Sequence, residues 1–160
     1  MGGGITILRP DDAGRAATLH AACFDTHGRW SARSMRESLS APTTLALGHE
    51  AGGRLDALLL IQRLAPDAEI LTICVDPDAR RQGLAQRIFD HGRQLLGPYG
   101  IDRVLLDVAA DNLPAIAFYE QNGFNRDGTR KAYYSRDDGR AVDAVLMSRT
   151  VAGHTDKSEA

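Results

Sequence analysis

The chain is predicted to fold as a mixed α/β (α+β) domain built around one sheet, and three observations carry that reading. Seven short runs have extended, strand-like character, and four others repeat their apolar residues at helical spacing. The two kinds follow one another in the order strand, two helices, three strands, helix, strand, helix, two strands, which is neither all-helical nor a strict strand–helix alternation. At 160 residues with 43% hydrophobic content, the chain has apolar material for one core and is short for two. Residues 1–151 are therefore read as a single domain, and residues 152–160, poor in apolar side chains, as a disordered tail.

The elements follow in order. Ile5 to Arg9 suits a short strand, and Pro10-Asp11-Asp12 gives a turn and an acidic start for a helix over Ala13 to Phe24. Asp25 to Arg29 reads as a polar, mobile loop. Trp30-Ser31 opens a second short helix with Ser31 as N-cap, and Ala41-Pro42 stops it. Thr43 to Glu50 and Leu55 to Leu64 are extended runs around the hairpin signal Ala51-Gly52-Gly53. Ala68 to Val75 adds a third strand to this meander. Leu84 to Leu96 is the clearest helix: Leu84, Ala85, Ile88, Phe89, Leu95 and Leu96 share one face, with Gln86, Arg87, Asp90, Arg93 and Gln94 opposite. Gly97-Pro98-Tyr99-Gly100 ends it. Asp102 to Ala109 is almost continuously apolar, the signature of a central strand buried on both faces. Asp111 to Pro114 caps a helix over Ala115 to Asn122, Gly123 closes it, and Phe124 opens a further strand. Asp137-Asp138-Gly139 then turns the chain into the last strand, Ala141 to Ser148.

Composition removes several classes of function. With 19 basic and 21 acidic residues the formal charge is -2, so no global field draws nucleic acid or an anionic membrane. No apolar run approaches the roughly 20 residues of a membrane span, and the start, Met1-Gly2-Gly3-Gly4-Ile5, lacks a signal pattern; a cytoplasmic protein is expected. Met1-Gly2 with Thr6 matches the myristoylation pattern formally, without the polybasic partner that stable anchoring needs. The five histidines have no metal-ligand spacing, and no metal is expected. Cys23 and Cys74, far apart in the chain, read as reduced thiols serving as small hydrophobes.

Chemistry first shows at Arg80-Arg81-Gln82-Gly83-Leu84-Ala85, a glycine-bearing turn between a strand and the clearest helix. Amides at a helix start have no partner inside the helix, the macrodipole favours negative charge there, and Gly83 removes a side chain that would hold a phosphate away. The turn has neither the Gly-x-Gly-x-x-Gly of a dinucleotide fold nor the Lys-Ser/Thr of a P-loop. Further along, Asn112, Ala115, Tyr119, Gly123 and Phe124 form Asn-x-x-Ala-x-x-x-Tyr-x-x-x-Gly-Phe.

With these two motifs in this order, the chain resembles the GNAT acetyltransferases, and within them the RimI-type N-terminal protein acetyltransferases. The likeness is carried by Ala68 to Ile73 through Val75-Asp76-Pro77, Arg81-Gln82-Gly83-Leu84, Ala115 to Glu120, Tyr133-Tyr134 and Asp138-Gly139-Arg140, with Trp30-Ser31 and Met35-Arg36-Glu37 on the substrate side. It implies a mostly antiparallel, twisted, mixed sheet of six to seven strands flanked by about four helices, with strands 4 and 5 splayed to admit acetyl-CoA. It also implies pantetheine beside Ile73, Cys74 and Val75, and diphosphate on the amides of Arg81, Gln82, Gly83, Leu84, Ala85 and Gln86, with charge from Arg80 and Arg81. Asn112 contacts pantetheine while capping its helix.

Tyr119 is by resemblance the acid that protonates the CoA sulfur. Asp107 stands where RimI-type enzymes carry a Glu base; it is shorter by one methylene, and a buried carboxylate of raised pKa, acting directly or through a water, is expected there. A structural hydrogen-bond acceptor is the other reading of Asp107. Trp30, Tyr133 and Tyr134 flank the acceptor. The resemblance implies as acceptor a protein or peptide N-terminus with a small first residue, a ribosomal protein among the candidates; an α-amine is easier to deprotonate than a lysine by roughly 3 kcal/mol at neutral pH. A small-molecule amine or a lysine, and a non-catalytic CoA- or partner-binding module, are the alternatives.

Overall fold

A computed structural model describes residues 3–24 and 28–151. Its elements are β1 (Gly4–Ile7), α1 (Ala13–Cys23), α2 (Ala32–Ser40), β2 (Thr44–Ala51), β3 (Arg54–Leu64), β4 (Asp67–Val75), α3 (Leu84–Leu96), β5 (Arg103–Ala109), α4 (Leu113–Gln121), β6 (Asn125–Ser135) and β7 (Ala141–Thr150). The expected order of elements is the observed one. The readings made for residues 25–27 and for the tail 152–160 lie outside the described residues.

One seven-stranded sheet runs β1-β2-β3-β4-β5-β7-β6. Every neighbouring pair is antiparallel except β4 and β5, which are parallel because α3 lies between them in the chain and returns it to the same end of the sheet. Helices cover both faces. On one, α3 and α4 bury Ile88, Phe89, Ile116 and Tyr119 against Leu47, Leu59, Ile61, Ile70 and Leu106. On the other, α1 and α2 bury Ala16, Leu19 and Met35 against Leu8, Leu58, Leu60 and Cys74. Each large apolar side chain so buried contributes about 1.5–3 kcal/mol.

Local chemistry sets the helix ends. The Ser31 hydroxyl accepts from the Ser34 amide at 3.0 Å, as its N-cap reading requires. The Arg29 guanidinium donates to the carbonyls of Ala21 and Phe24, both at 3.1 Å, and so closes the C-terminal end of α1. Helix α3 has the bounds its periodicity predicts, and Gly92 lets it lie directly on Leu59 and Ile61.

One expectation is corrected. The strand buried on both faces is β3, where Ala57 to Ile61 are at most 1% exposed, rather than β5. In β5, Val104, Leu106 and Val108 are buried under α3 and α4, while Leu105, Asp107 and Ala109 are only partly covered, because α1 and α2 pack over β2, β3 and β4.

The strands that matter most are β4 and β5. They pair only at Asp67–Arg103, Ala68–Val104 and Glu69–Leu105, although β4 continues to Val75 and β5 to Ala109. Beyond Glu69 they diverge, as expected of strands 4 and 5. A bulge accompanies the split: Ile61 pairs with Ile70 and Leu60 with Thr72, leaving Leu71 as an extra residue. Bulges bend a strand and sharpen its twist. This one also reverses the alternation, so that Ile73 and Val75 face the same core as Ala68 and Ile70.

Candidate functional site

At the end of β4, Asp76 builds a turn. Its carboxylate accepts from the Asp78 amide at 2.9 Å and from Arg54 Nη2 at 2.5 Å, and these two contacts, the amide foremost, hold it below the usual carboxylate range. Arg80 Nε donates back to the Val75 carbonyl at 3.1 Å. Arg81 (φ 68°) and Gly83 (φ 74°) then both take the left-handed conformation, natural for glycine and strained for arginine. Such a sequence of conformations turns successive amides toward one concavity. Helix α3 follows with no side-chain cap and no acidic residue in its first turn. Its first internal bond, from the Arg87 amide to the Gly83 carbonyl at 3.0 Å, leaves the amides of Leu84, Ala85 and Gln86 without helical partners. The geometry is that of an anion cradle made by backbone.

Where β4 and β5 part lies a cavity of about 440 Å³. Its wall takes Ile73, Cys74 and Val75 from β4, Asp107 from β5, Tyr119 from α4, and Trp30 and Tyr134 from the far side. Residues from both faces of the sheet therefore share one space. Arg80, Ala85 and Asn112 join them from the cradle end. The Asn112 Oδ1 accepts from the Ala115 amide at 3.2 Å, so the capping role is present, and its Nδ2 makes no hydrogen bond among the described residues.

Tyr119 is 6% exposed, with its ring edge-on to Phe118 and Phe124. Burial first, then the neighbouring Tyr134 and Cys74, hold its phenol well above the usual value, so it carries its proton throughout the neutral range. Its hydroxyl makes no hydrogen bond among the described residues. Tyr134, half-buried, is pushed up to about 12 by burial and by nearby Asp107.

The structure brings most of the expected site residues together and sets others apart. Arg81, Gln82, Gly83, Leu84 and Gln86 lie outside the cavity wall, in or just beyond the cradle. There Leu84 turns its side chain into the core, and Gln86 bonds Asp90 and Asn122. Tyr133 is 51% exposed and serves as an edge-on support for Tyr134. Asp107 is not the fully buried carboxylate expected from its apolar neighbours in sequence: strand alternation turns it to the less covered face, where it is partly buried. The cysteines, far apart in sequence, pack in one apolar cluster and line the same cavity.

Several residues that the sequence did not single out stand at the site. Glu69, at the last paired position of β4, shares a face with Asp107, and burial followed by that neighbouring charge raises its carboxyl above the usual range. The Thr72 hydroxyl is buried at the cavity wall without a partner. His20, 1% exposed, stacks on Phe24 with centroids 4.3 Å apart, and its Nδ1 accepts from the Trp30 amide at 3.4 Å; burial lowers it to about 4. Arg136 pairs with Asp111 at 2.5 Å beside the Tyr134 ring. A positive φ at Ala132 and a bulge in β6, pinned by the Ala132 amide donating to Asp143 at 2.8 Å, aim Tyr134 at the cavity.

Comparison with known proteins agrees with this geometry. The chain is 37% identical over 100 residues to the ribosomal protein bS18-alanine N-acetyltransferase of Escherichia coli K12, covering 62% of this chain and 67% of that one. The crystal structure of the E. coli ribosomal-protein-S18-alanine N-acetyltransferase superposes with a TM-score of 0.85 and 29% identity, over 93% of this chain and 94% of that one. The mycothiol acetyltransferase of Clavibacter michiganensis is 32% identical over 139 residues, 82% of this chain and 45% of the relative. The sequence pattern of the Acetyltransferase (GNAT) family matches residues 15–124, and the chain belongs to that family of acetyl-CoA-dependent N-acetyltransferases.

Proposed function

We propose that the protein transfers the acetyl group of acetyl-CoA to the α-amine of a protein N-terminus with a small first residue, alanine foremost, and that a cytoplasmic ribosomal protein is its partner. The observation that carries a two-substrate reaction is the cavity opening both faces of the sheet to each other at the β4–β5 split. The acceptor class is supported by the likeness to the bS18-alanine enzyme.

The residues present fit the cofactor. A diphosphate suits the backbone amides from Arg81 to Gln86, with Arg80 and Arg81 adding charge. The amide-bearing pantetheine suits a stretch of β4 that has lost its strand partner, next to the unpaired Thr72 hydroxyl and Asn112 Nδ2. When bound, acetyl-CoA supplies an acetyl group activated as a thioester. The remaining steps belong to the protein. Asp107, supported by Glu69, takes the proton of the incoming ammonium directly or through a water. A backbone amide of β4 polarises the carbonyl under attack, and Tyr119 gives its proton to the departing sulfur. Trp30, held by His20, and Tyr134 border the acceptor.

The test is to incubate the protein with acetyl-CoA and peptides differing only in their first residue, following thiol release. Alanine and other small first residues should react fastest, and N-terminally blocked peptides bearing lysine should be inert. Preferred turnover of the blocked peptides overturns the α-amine reading. The likeness to mycothiol acetyltransferase favours a second reading, a small-molecule amine acceptor, which predicts turnover of free amines and none of peptides.

A further inference from the structure

Cys23 and Cys74 are the only cysteines of the chain. Cys23 ends α1 and Cys74 lies near the end of β4, and both line the cavity. Cys23 packs against the buried cluster that contains Cys74. Cys23 Sγ also donates to the Val75 carbonyl at 3.3 Å, the same oxygen that accepts from Arg80 Nε. The Cys23 thiol and the Arg80 guanidinium thus meet at the carbonyl of the residue that follows Cys74.

This surrounding makes the two sulfurs unlike. Neighbouring Cys74 and the charge of Arg80 hold the Cys23 thiol below its usual value, whereas neighbouring Cys23 and burial push the Cys74 thiol up. Cys23, the more accessible of the two and the one beside Arg80, is the nucleophile of the pair, and buried Cys74 is placed to resolve what forms on it. Both stand on regular elements packed through the Leu58 and Leu60 layer, so their approach is fixed by the core.

We propose that Cys23 and Cys74 are a reversible thiol modification site, joined into a disulfide by a low-molecular-weight disulfide that enters the cavity, and that the bond stops acetyl transfer. The Cys23 thiolate attacks one sulfur of the small disulfide; a protein–small-molecule S–S bond forms, the original S–S bond breaks, and one thiolate leaves to take a proton from solvent. Cys74 then loses its proton to solvent, and its thiolate attacks the Cys23 sulfur, expelling the second small thiolate, which is protonated in turn. Two electrons pass from the protein thiols to the small disulfide, which leaves as two thiols. The new bond, about 2.05 Å long, takes Cys23 Sγ from the Val75 carbonyl and pulls β4 toward α1.

The experiment treats the reduced full-length protein with oxidised glutathione, then measures intact mass, free thiols and acetyl-transfer rate. The expected result is a monomer lighter by two hydrogens with no titratable thiol. Its transfer rate falls by roughly 10²-fold and returns with dithiothreitol. In Cys23→Ser, the rate after oxidation divided by the rate before it should stay near one. Saturating acetyl-CoA should slow bond formation. Two free thiols after treatment, disulfide-linked dimers in place of the intramolecular bond, or an oxidised monomer with full transfer rate each overturn the proposal. The mass and thiol readouts stand apart from the acetyl-transfer reading, on which the rate and protection arms rest, so failure of the one is distinguishable from failure of the other.

Discussion

Changing Tyr119 to Phe separates two contributions of one side chain that act in opposite directions. The ring packs at 5.6 Å from Phe118 and 5.5 Å from Phe124, and phenylalanine preserves both contacts. The hydroxyl, open to the cavity and unbonded among the described residues, leaves no orphaned protein partner when removed, so the fold should keep its stability or gain up to about 1 kcal/mol. Catalysis should move the other way. Loss of a positioned general acid lowers kcat by about 10²- to 10⁴-fold, equivalent to roughly 2.7–5.5 kcal/mol in the barrier, while KM for acetyl-CoA stays near wild type. Thiol release at saturating substrates and thermal unfolding of the same preparations give both numbers. Alkaline pH adds a signature. Because the folded pKa is raised, the stabilising contribution is complete below the unfolded value near 10 and is lost as pH climbs beyond it. Tyr119→Phe should remove that part of the alkaline decline. An unchanged kcat would take Tyr119 out of the chemistry, and a stability loss above about 2 kcal/mol would make it a packing residue.

Asp107→Asn and Glu69→Gln should each alter the acidic limb of kcat/KM against pH, with the double variant non-additive because the two carboxyls interact; an unaltered profile in both excludes them as the titrating base. His20, neutral in the fold down to about pH 4, takes up a proton in the unfolded chain below about 6.5, so unfolding free energy should rise with pH across that window by at most about 1.4 kcal/mol per unit. His20→Gln, measured by urea denaturation at several pH values, should flatten the slope. Gly92→Ala would place a Cβ 2.7 Å from Leu59 Cδ2 and 3.3 Å from Ile61 Cδ1, both held in a packed core. Overpacking of about 1–3 kcal/mol against a helix-propensity gain of about 0.8–1.0 kcal/mol leaves a net loss of about 1 kcal/mol. Because α3 carries the cradle, KM for acetyl-CoA should rise several-fold; a stabilised variant with unchanged KM refutes the packing argument.

Helix α3 was legible to its end residues because everything that defines it is local: an apolar stripe, Gly83 before it and Gly97-Pro98 after it. Strand β5 was misread on its second face because an apolar run reports hydrophobicity, while the cover over each face depends on which helices lie above it. The same alternation that buries Val108 turns Asp107 outward, which its neighbours in sequence conceal. Glu69 gave no sign of its relation to Asp107, since their proximity is created by the parallel register of two strands separated by α3. The thiol pair was hidden for the same reason: helix α1 and strand β4 meet only once the sheet is assembled. The cradle and Tyr119, whose meaning lies in short motifs, were readable at once.

The extra residue in β4 has one more implication, for how this strand tolerates change in length. With Leu71 in place, β4 is two segments of opposite parity, Ala68 and Ile70 in one frame and Ile73 and Val75 in the other, all facing α3 and α4. Removing Leu71 would join the frames into one unbroken alternation, with Ile70 against Ile61, Thr72 against Leu60 and Ile73 against Leu59 as now, so that Ile73 and Val75 would still face α3 and Cys74 would still face α1. Each amino acid after the deletion would keep its face, and what would go is the bend that accompanies the split from β5. The extra residue therefore serves the course of the strand, and loss of a position is compatible with the present facing at the bulge alone, whereas loss or gain of one beyond it would turn every later side chain to the other face.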